Sequence, residues 1–192
     1  MKLLFIIDMQ NDFIDGVLGS PEAQAIVPKV IEKIKQVNKN DLIFVTYDTH
    51  FNNYLDTEEG KHLPIPHCIA KTDGIKLNKD IREILMEDTM AGKVIIKPKS
   101  SFGYPWTGQT RFSGYPWGGL CDDDEDITEI EIVGLDTDFC VLANALGLKA
   151  AYPNIPITID AACCAGSTPE WHEKALDILE HCHFNVINRK KE

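Results

Sequence analysis

The chain has 192 residues, 44% of them hydrophobic, and carries 30 acidic against 19 basic side chains, for a formal net charge of −11. That length predicts one domain spanning 1–192, with core enough for a single sheet covered on both faces. The acidic excess, partly concentrated in DDDED at 122–126, argues against nucleic acid or an anionic membrane as a partner.

No apolar run approaches membrane-spanning length, and Met1 leads straight into a strand without a signal-peptide pattern. Six cysteines (68, 121, 140, 163, 164 and 182) are scattered without a disulfide framework, which predicts reduced thiols and a cytoplasmic setting.

In chain order, the apolar run at 3–7 predicts a strand buried on both faces, ended by Asp8. PEAQAIVPKVIEKIKQVN follows, with Ile26, Val30, Ile31 and Ile34 at helical spacing and Pro28 marking an early kink or a late start. The strand at 42–47 runs into TYDTHF, so Asp48 and His50 project from its carboxyl end on the same side. Alone, a D-x-H pair is usually a hydrogen-bonded couple. With His67 of LPIPHC it becomes a candidate divalent-metal set that leaves positions open for water or substrate. Glu59 or His62, both in DTEEGKHLP, offers a further ligand.

NKDIREILME predicts a helix starting near Asn78, and KVIIK at 93–97 a strand ending in Lys97. Residues 100–123 form an atypical segment with GYPW at 103–106 and again at 114–117, poor material for a helix. A loop of that length in a compact domain is usually functional or an interface element. Its rings, Tyr104 and Trp106 among them, either roof a substrate pocket or pack on the protein's own body or a sister subunit.

A strand at 129–134 then leads into GLDTDFCVLANALGL, where Thr137 is a natural N-cap and Cys140 stands in the first helical turn. The positive helix end there predicts a thiol that ionises more easily than a free one. A strand at 155–159, a helix in STPEWHEKALDILEHC capped by Ser167 or Thr168, and a strand at 184–187 complete the chain. Alternating strands and helices predict an α/β fold, a three-layer α-β-α sandwich around a mostly parallel six-stranded sheet. Three strands thereby bring an acid, an amine and a thiol to one edge, where such folds place their chemistry.

IIDMQNDF, KPKSSF and GLDTDFCV, in that order, resemble the isochorismatase-like cysteine hydrolases, and within them the nicotinamidases. The resemblance implies a catalytic trio of Asp8, Lys97 and Cys140. KPKSSF is one residue shorter before its phenylalanine than is usual, which keeps Lys99 as the alternative lysine. It also implies a cis peptide at Leu135–Asp136, an oxyanion hole from the backbone of Asp136 and Cys140, and Phe13 lining a ring pocket.

Asp48, His50 and His67, with Glu59 where a glutamate is sometimes found, match a set that holds zinc or a related divalent ion. The implied activity is hydrolysis of nicotinamide or a similar small amide through a thioester, in a protein that is commonly a homo-oligomer. The alternatives are another substrate of the family (a ureido or carbamoyl amide, or isochorismate) and an inactive binding protein that uses the GYPW segment as its contact surface.

Overall fold

The computed structural model describes residues 1–106 and 127–190; the second GYPW, Cys121 and DDDED lie outside them. Strand β1 (Lys2–Ile7) is followed by a short helix α1 (Asn11–Ile14), helix α2 (Pro21–Lys35) and strand β2 (Leu42–Asp48). Helices α3 (Glu58–His62) and α4 (Lys79–Leu85) precede strand β3 (Val94–Lys99). Strand β4 (Glu129–Leu135) enters a π-helical turn (Thr137–Val141) that continues as helix α5 (Leu142–Ala151). Strand β5 (Ile157–Ala165), helix α6 (Pro169–His181) and strand β6 (Asn185–Ile187) end the order.

The six strands line up as β3-β2-β1-β4-β5-β6, with all five pairings parallel. The order reverses between β1 and β4, and the crevice at such a switch point is where open α/β sheets bind ligands. Alternation along β1 divides the core. Leu4 and Ile6 pack with α1, α2 and α4 on one face, while Leu3, Phe5 and Ile7 pack with α5 and α6 on the other. The result is the expected three-layer sandwich. At the switch point β4 presses against β1. A Cβ on Gly134 would stand 2.1 Å from the Ile7 carbonyl oxygen, and its φ of +123° suits glycine alone.

Three elements differ from expectation. Helix α2 runs unbroken through Pro28, capped by Ser20. Pro28 lies on the exposed face, so the Gln24 carbonyl it leaves unpaired can turn to water. Strand β3 continues two residues past Lys97, through Pro98, which is tolerable because β3 is an edge strand. Thr137 does not cap the turn after β4. Its hydroxyl instead meets His172 Nδ1 of α6 at 2.8 Å.

Candidate active site and metal centre

Asp8 leaves β1 in the left-handed region (φ 46°), a conformation aspartate tolerates better than most residues. The turn aims its carboxylate along the sheet's carboxyl edge. Thr46 of β2 holds it from both sides, donating its hydroxyl to Asp8 Oδ1 at 2.6 Å and accepting the Asp8 amide at 3.1 Å. Lys99 Nζ lies 2.6 Å from Asp8 Oδ2, 3.4 Å from Cys140 Sγ and 3.5 Å from Asp48 Oδ1. Acid, amine and thiol therefore meet in one buried cluster.

The amine in that cluster is Lys99, which corrects the expectation of Lys97. Both lysines lie on the same face of β3, two residues apart. The register sets Lys97 opposite Thr46 and Lys99 opposite Asp48, one side-chain row (about 6.6 Å) nearer the carboxyl edge. Lys97 is buried over the rings of Phe44 and Tyr104, at 6.0 and 5.6 Å, and burial lowers its pKa.

Burial raises the Asp8 pKa, against the pull of Lys99. Burial and the Asp8 charge push the Cys140 thiol well up, and Lys99 offsets this only in part. The expectation of an easily ionised thiol is thus reversed, because desolvation and an adjacent carboxylate outweigh the helix end. The resting cluster is a neutral thiol beside an aspartate–lysine ion pair. Burial would lower Lys99, but the carboxylates of Asp8 and Asp48 outweigh that and raise it.

The Leu135–Asp136 peptide is cis. The Asp136 carbonyl accepts the amides of Phe139 and Val141, at 3.1 and 3.0 Å, and skips that of Cys140 between them. A π-turn of this kind, frequent at functional sites, frees the nucleophile's own amide from that carbonyl. The turn is tied to α6 by Thr137 and to the segment before it by Asp138, which accepts from the Ser167 amide and hydroxyl at 2.9 and 2.6 Å.

Beside this cluster, Asp48, His50, Glu59 and His67 bring four donor atoms within 4.8 Å of one another. His50 Nε2 is 3.0 Å from Asp48 Oδ2 and 3.5 Å from Glu59 Oε1; His67 Nε2 is 3.3 and 3.5 Å from the same two atoms. A tetrahedron of ligands at zinc-like bond lengths has edges of about 3.3 Å, so the set fits a divalent ion. His67 Nδ1 lies 2.8 Å from the Ile65 carbonyl, which can only accept, so Nδ1 donates there and Nε2 is the ring nitrogen turned to the cluster. Asp48 Oδ1 is buried without a hydrogen bond. Burial lowers the His50 pKa, but its bonds to Asp48 and Glu59 outweigh that and push it up to about 9. Two carboxylates facing two imidazoles call for a cation, whether a proton or a metal. Glu59 is the glutamate that reaches the set, from a helix capped by Thr57, while His62 points to solvent.

Phe13 is buried with its ring centroid 5.4 Å from that of His67, beside the donor cluster. Of the two placements expected for Tyr104 and Trp106, the described residues show packing on the protein's own body. Trp106 packs edge-on to Phe5 and Phe44, with Nε1 donating to Asn144 Oδ1 at 2.8 Å. Tyr104 lies against it, its amide bonded to the same oxygen at 3.0 Å. These rings cover the apolar sheet face beside α5, which would otherwise be left bare. Two residues were missed in the sequence. Thr46 is hidden in an apolar run. Gln10 clamps Asp48 by donating to its carbonyl at 2.9 Å and accepting its amide at 2.7 Å. Its position in DMQNDF, two residues past Asp8, was the available signal.

A parallel sheet whose switch point joins a buried acid–amine–thiol cluster to a four-donor cation set defines an α/β protein built for thiol chemistry beside a metal. The sequence matches the isochorismatase domain over residues 2–101 and 122–191, and the chain belongs to that family. It is 27% identical to a nicotinamidase of Schizosaccharomyces pombe, over 97% of this chain and 93% of that one. Among solved structures it resembles a pyrazinamidase/nicotinamidase of Streptococcus mutans (26% identity, TM-score 0.76, covering 97% and 100% of the two chains). It also resembles a pyrazinamidase of Pyrococcus horikoshii in complex with zinc (25% identity, TM-score 0.71, covering 98% and 99%). Among the described residues no helix is long and apolar enough to cross a membrane.

Proposed function

We propose that the protein is a cysteine amidohydrolase that converts nicotinamide, or a close small amide, to the acid and ammonia. The observation that carries this reading is the contact of Lys99 with both Asp8 and Cys140, at 2.6 and 3.4 Å, next to the four-donor set. Asp8, its basicity raised by burial, takes the thiol proton as Cys140 attacks the carbonyl carbon. Lys99 compensates the charge as it moves from carboxylate to sulfur. The amides of Asp136 and Cys140 receive the oxyanion, an interaction typically worth about 3–4 kcal/mol per donor. Asp8 returns its proton to the leaving nitrogen, ammonia departs, and water cleaves the thioester.

Asp48, His50, Glu59 and His67 are the residues that would hold the metal, with zinc the ion this donor set suits. Bound there, it supplies a Lewis acid for a ring nitrogen or for ordering water. Phe13 flanks the ring. The relatives named nicotinamidase and pyrazinamidase support the substrate class. A cytoplasmic setting fits the described cysteines, all five of which are free thiols. Homo-oligomerisation accompanies this reading and is measured by light scattering.

The deciding experiment is ammonia release from nicotinamide, pyrazinamide and a panel of ureido and carbamoyl amides. Turnover of the first two, abolished by Cys140→Ala, is the expected result. Turnover confined to the others moves the substrate, and none at all sinks the amidase reading.

A further inference from the structure

Lys99 reaches the thiol from the last residue of an edge strand, and β3 is paired on one side alone, with β2. The Thr49 amide donates to the Lys99 carbonyl at 2.8 Å, and sheet pairing stops there. An ammonium kept 3.4 Å from Cys140 Sγ therefore depends on what holds the chain just beyond it.

Asn144 holds that chain. It lies one helical turn after Cys140, in α5, and is completely buried. Its Nδ2 donates to the Cys140 carbonyl at 2.7 Å and to the Phe102 carbonyl at 3.1 Å. Its Oδ1 accepts the Tyr104 amide at 3.0 Å and Trp106 Nε1 at 2.8 Å. Two carbonyls on one side and two N–H groups on the other fix the amide's orientation and saturate it. Among the described residues, the three hydrogen bonds that tie 100–106 to the rest of the protein all end on this side chain. Phe102 adds a ring contact with Phe139, the residue before Cys140, at 5.2 Å between centroids.

The bonds close a short path. It runs from Lys99 along the chain to Phe102, across to Asn144, back one turn to Cys140, and from its sulfur to the Lys99 ammonium. A fully satisfied buried polar network of this kind specifies one geometry, which a space-filling residue does not.

We propose that Asn144 is a positioning residue for the chemistry of Cys140: it pins the segment leaving β3 to the nucleophile's helix and so keeps the Lys99 ammonium at the sulfur. Its effect on turnover rests on the amidase reading; its effect on the thiol does not. Without the clamp the ammonium stays with Asp8, 2.6 Å away on β1, and leaves the sulfur.

The test compares metal-loaded wild type with Asn144→Leu, which keeps the volume and loses every bond, and with Trp106→Phe, which loses one bond and keeps a ring over Phe5 and Phe44. Leu148→Ala, a truncation of a buried residue one turn further along α5, is the control for lost stability. Two quantities are read: kcat and KM for nicotinamide, and the rate of Cys140 alkylation by iodoacetamide between pH 6 and 8, by peptide mass. Asn144→Leu should lower kcat by about a hundredfold, the scale of a misplacement of about 1 Å, with KM little changed. Its Cys140 should alkylate about tenfold more slowly at each pH, because the thiolate loses its nearest cation. Trp106→Phe should show losses of about threefold in both, the size of one hydrogen bond, and decides the matter if Asn144→Leu does not fold. Leu148→Ala should lower the melting temperature and leave both quantities unchanged. Unchanged kcat in the clamp variants, a loss carried by KM, or an equal loss in Leu148→Ala overturns the inference. So does alkylation that is unchanged or faster, since the thiol then keeps its ammonium or is merely opened to the reagent. If no amide is turned over but alkylation slows as stated, the inference stands and the amidase reading falls.

Discussion

Lys99 Nζ lies 2.6 Å from Asp8 Oδ2, and both side chains are sealed from solvent. The same ammonium touches the thiol at 3.4 Å and the second oxygen of Asp48 at 3.5 Å, so one charge serves the base, the nucleophile and the donor set. Replacing Lys99 by methionine strands two buried carboxylates. Lys99→Met should lower unfolding stability by about 3–5 kcal/mol, the usual cost of breaking a buried pair from one side. Activity should fall by about a thousandfold or more, on the scale of a lost general-base and charge-stabilising group. Lys97→Met should stay within a few-fold of wild-type turnover. Denaturant melts and ammonia release measure both, and a reversed pattern would restore Lys97 to the catalytic role.

The thiol pKa is raised, so the proton stays on sulfur at neutral pH and the thiolate appears only as pH climbs. Cys140 alkylation by iodoacetamide, followed by peptide mass, should accelerate with pH and show no plateau below about pH 8, the range of an ordinary thiol. Asp8→Asn removes the anion that raises the thiol and leaves Lys99 beside it. That variant should alkylate faster than wild type at a given pH while hydrolysing amide far more slowly. Slower alkylation in Asp8→Asn would contradict the assigned charge balance.

Metal content distinguishes the fourth ligand. Protein prepared with zinc should hold about one ion per chain. Glu59→Ala should weaken retention against a chelator beyond the ~10–100-fold expected for a mere supporting residue, and His62→Ala should leave it unchanged. Equal loss in the two variants would remove Glu59 from the set.

Chelation also sets a pH dependence. In the metal-free protein His50 is raised from 6.5 to about 9, so the folded state binds a proton that the unfolded chain releases. Its stabilisation is fully present below pH 6.5 and is lost as pH rises through 9. Thermal midpoints of chelated protein should therefore fall between these values, and His50→Gln should flatten that decline. A decline of the same size in His50→Gln would assign it to another group.

Trp106 fills the space above Phe5 and Phe44, and a Cβ on Gly147 of α5 would meet its ring at 3.1 Å. Trp106→Ala should cost about 3–5 kcal/mol of stability, as large-to-small core changes do, with KM unaltered. A changed KM at unchanged stability would return this ring to the substrate pocket.

The order of elements, the parallel sheet and the residues at its carboxyl edge were legible in the sequence. Each rests on a local signal: unbroken apolar runs at 3–7 and 129–134, helical spacing in α2 and α6, and polar residues where the runs stop. Asp8 and Asp48 stand at such stops with His50 two residues beyond, Cys140 comes in the helical turn after β4, and His67 is legible as the histidine of LPIPHC that completes the D-x-H pair.

What only the folded chain decided depends on register and approach. Lys97 and Lys99 share a face, so alternation cannot separate them; pairing with Thr46 or Asp48 does. Glu59 and His62 sit in one five-residue helix, and only its docking turns the first inward. Helix position alone predicts an easily ionised Cys140, but burial beside Asp8 reverses that, because desolvation and a neighbouring charge arise from packing and not from sequence neighbours.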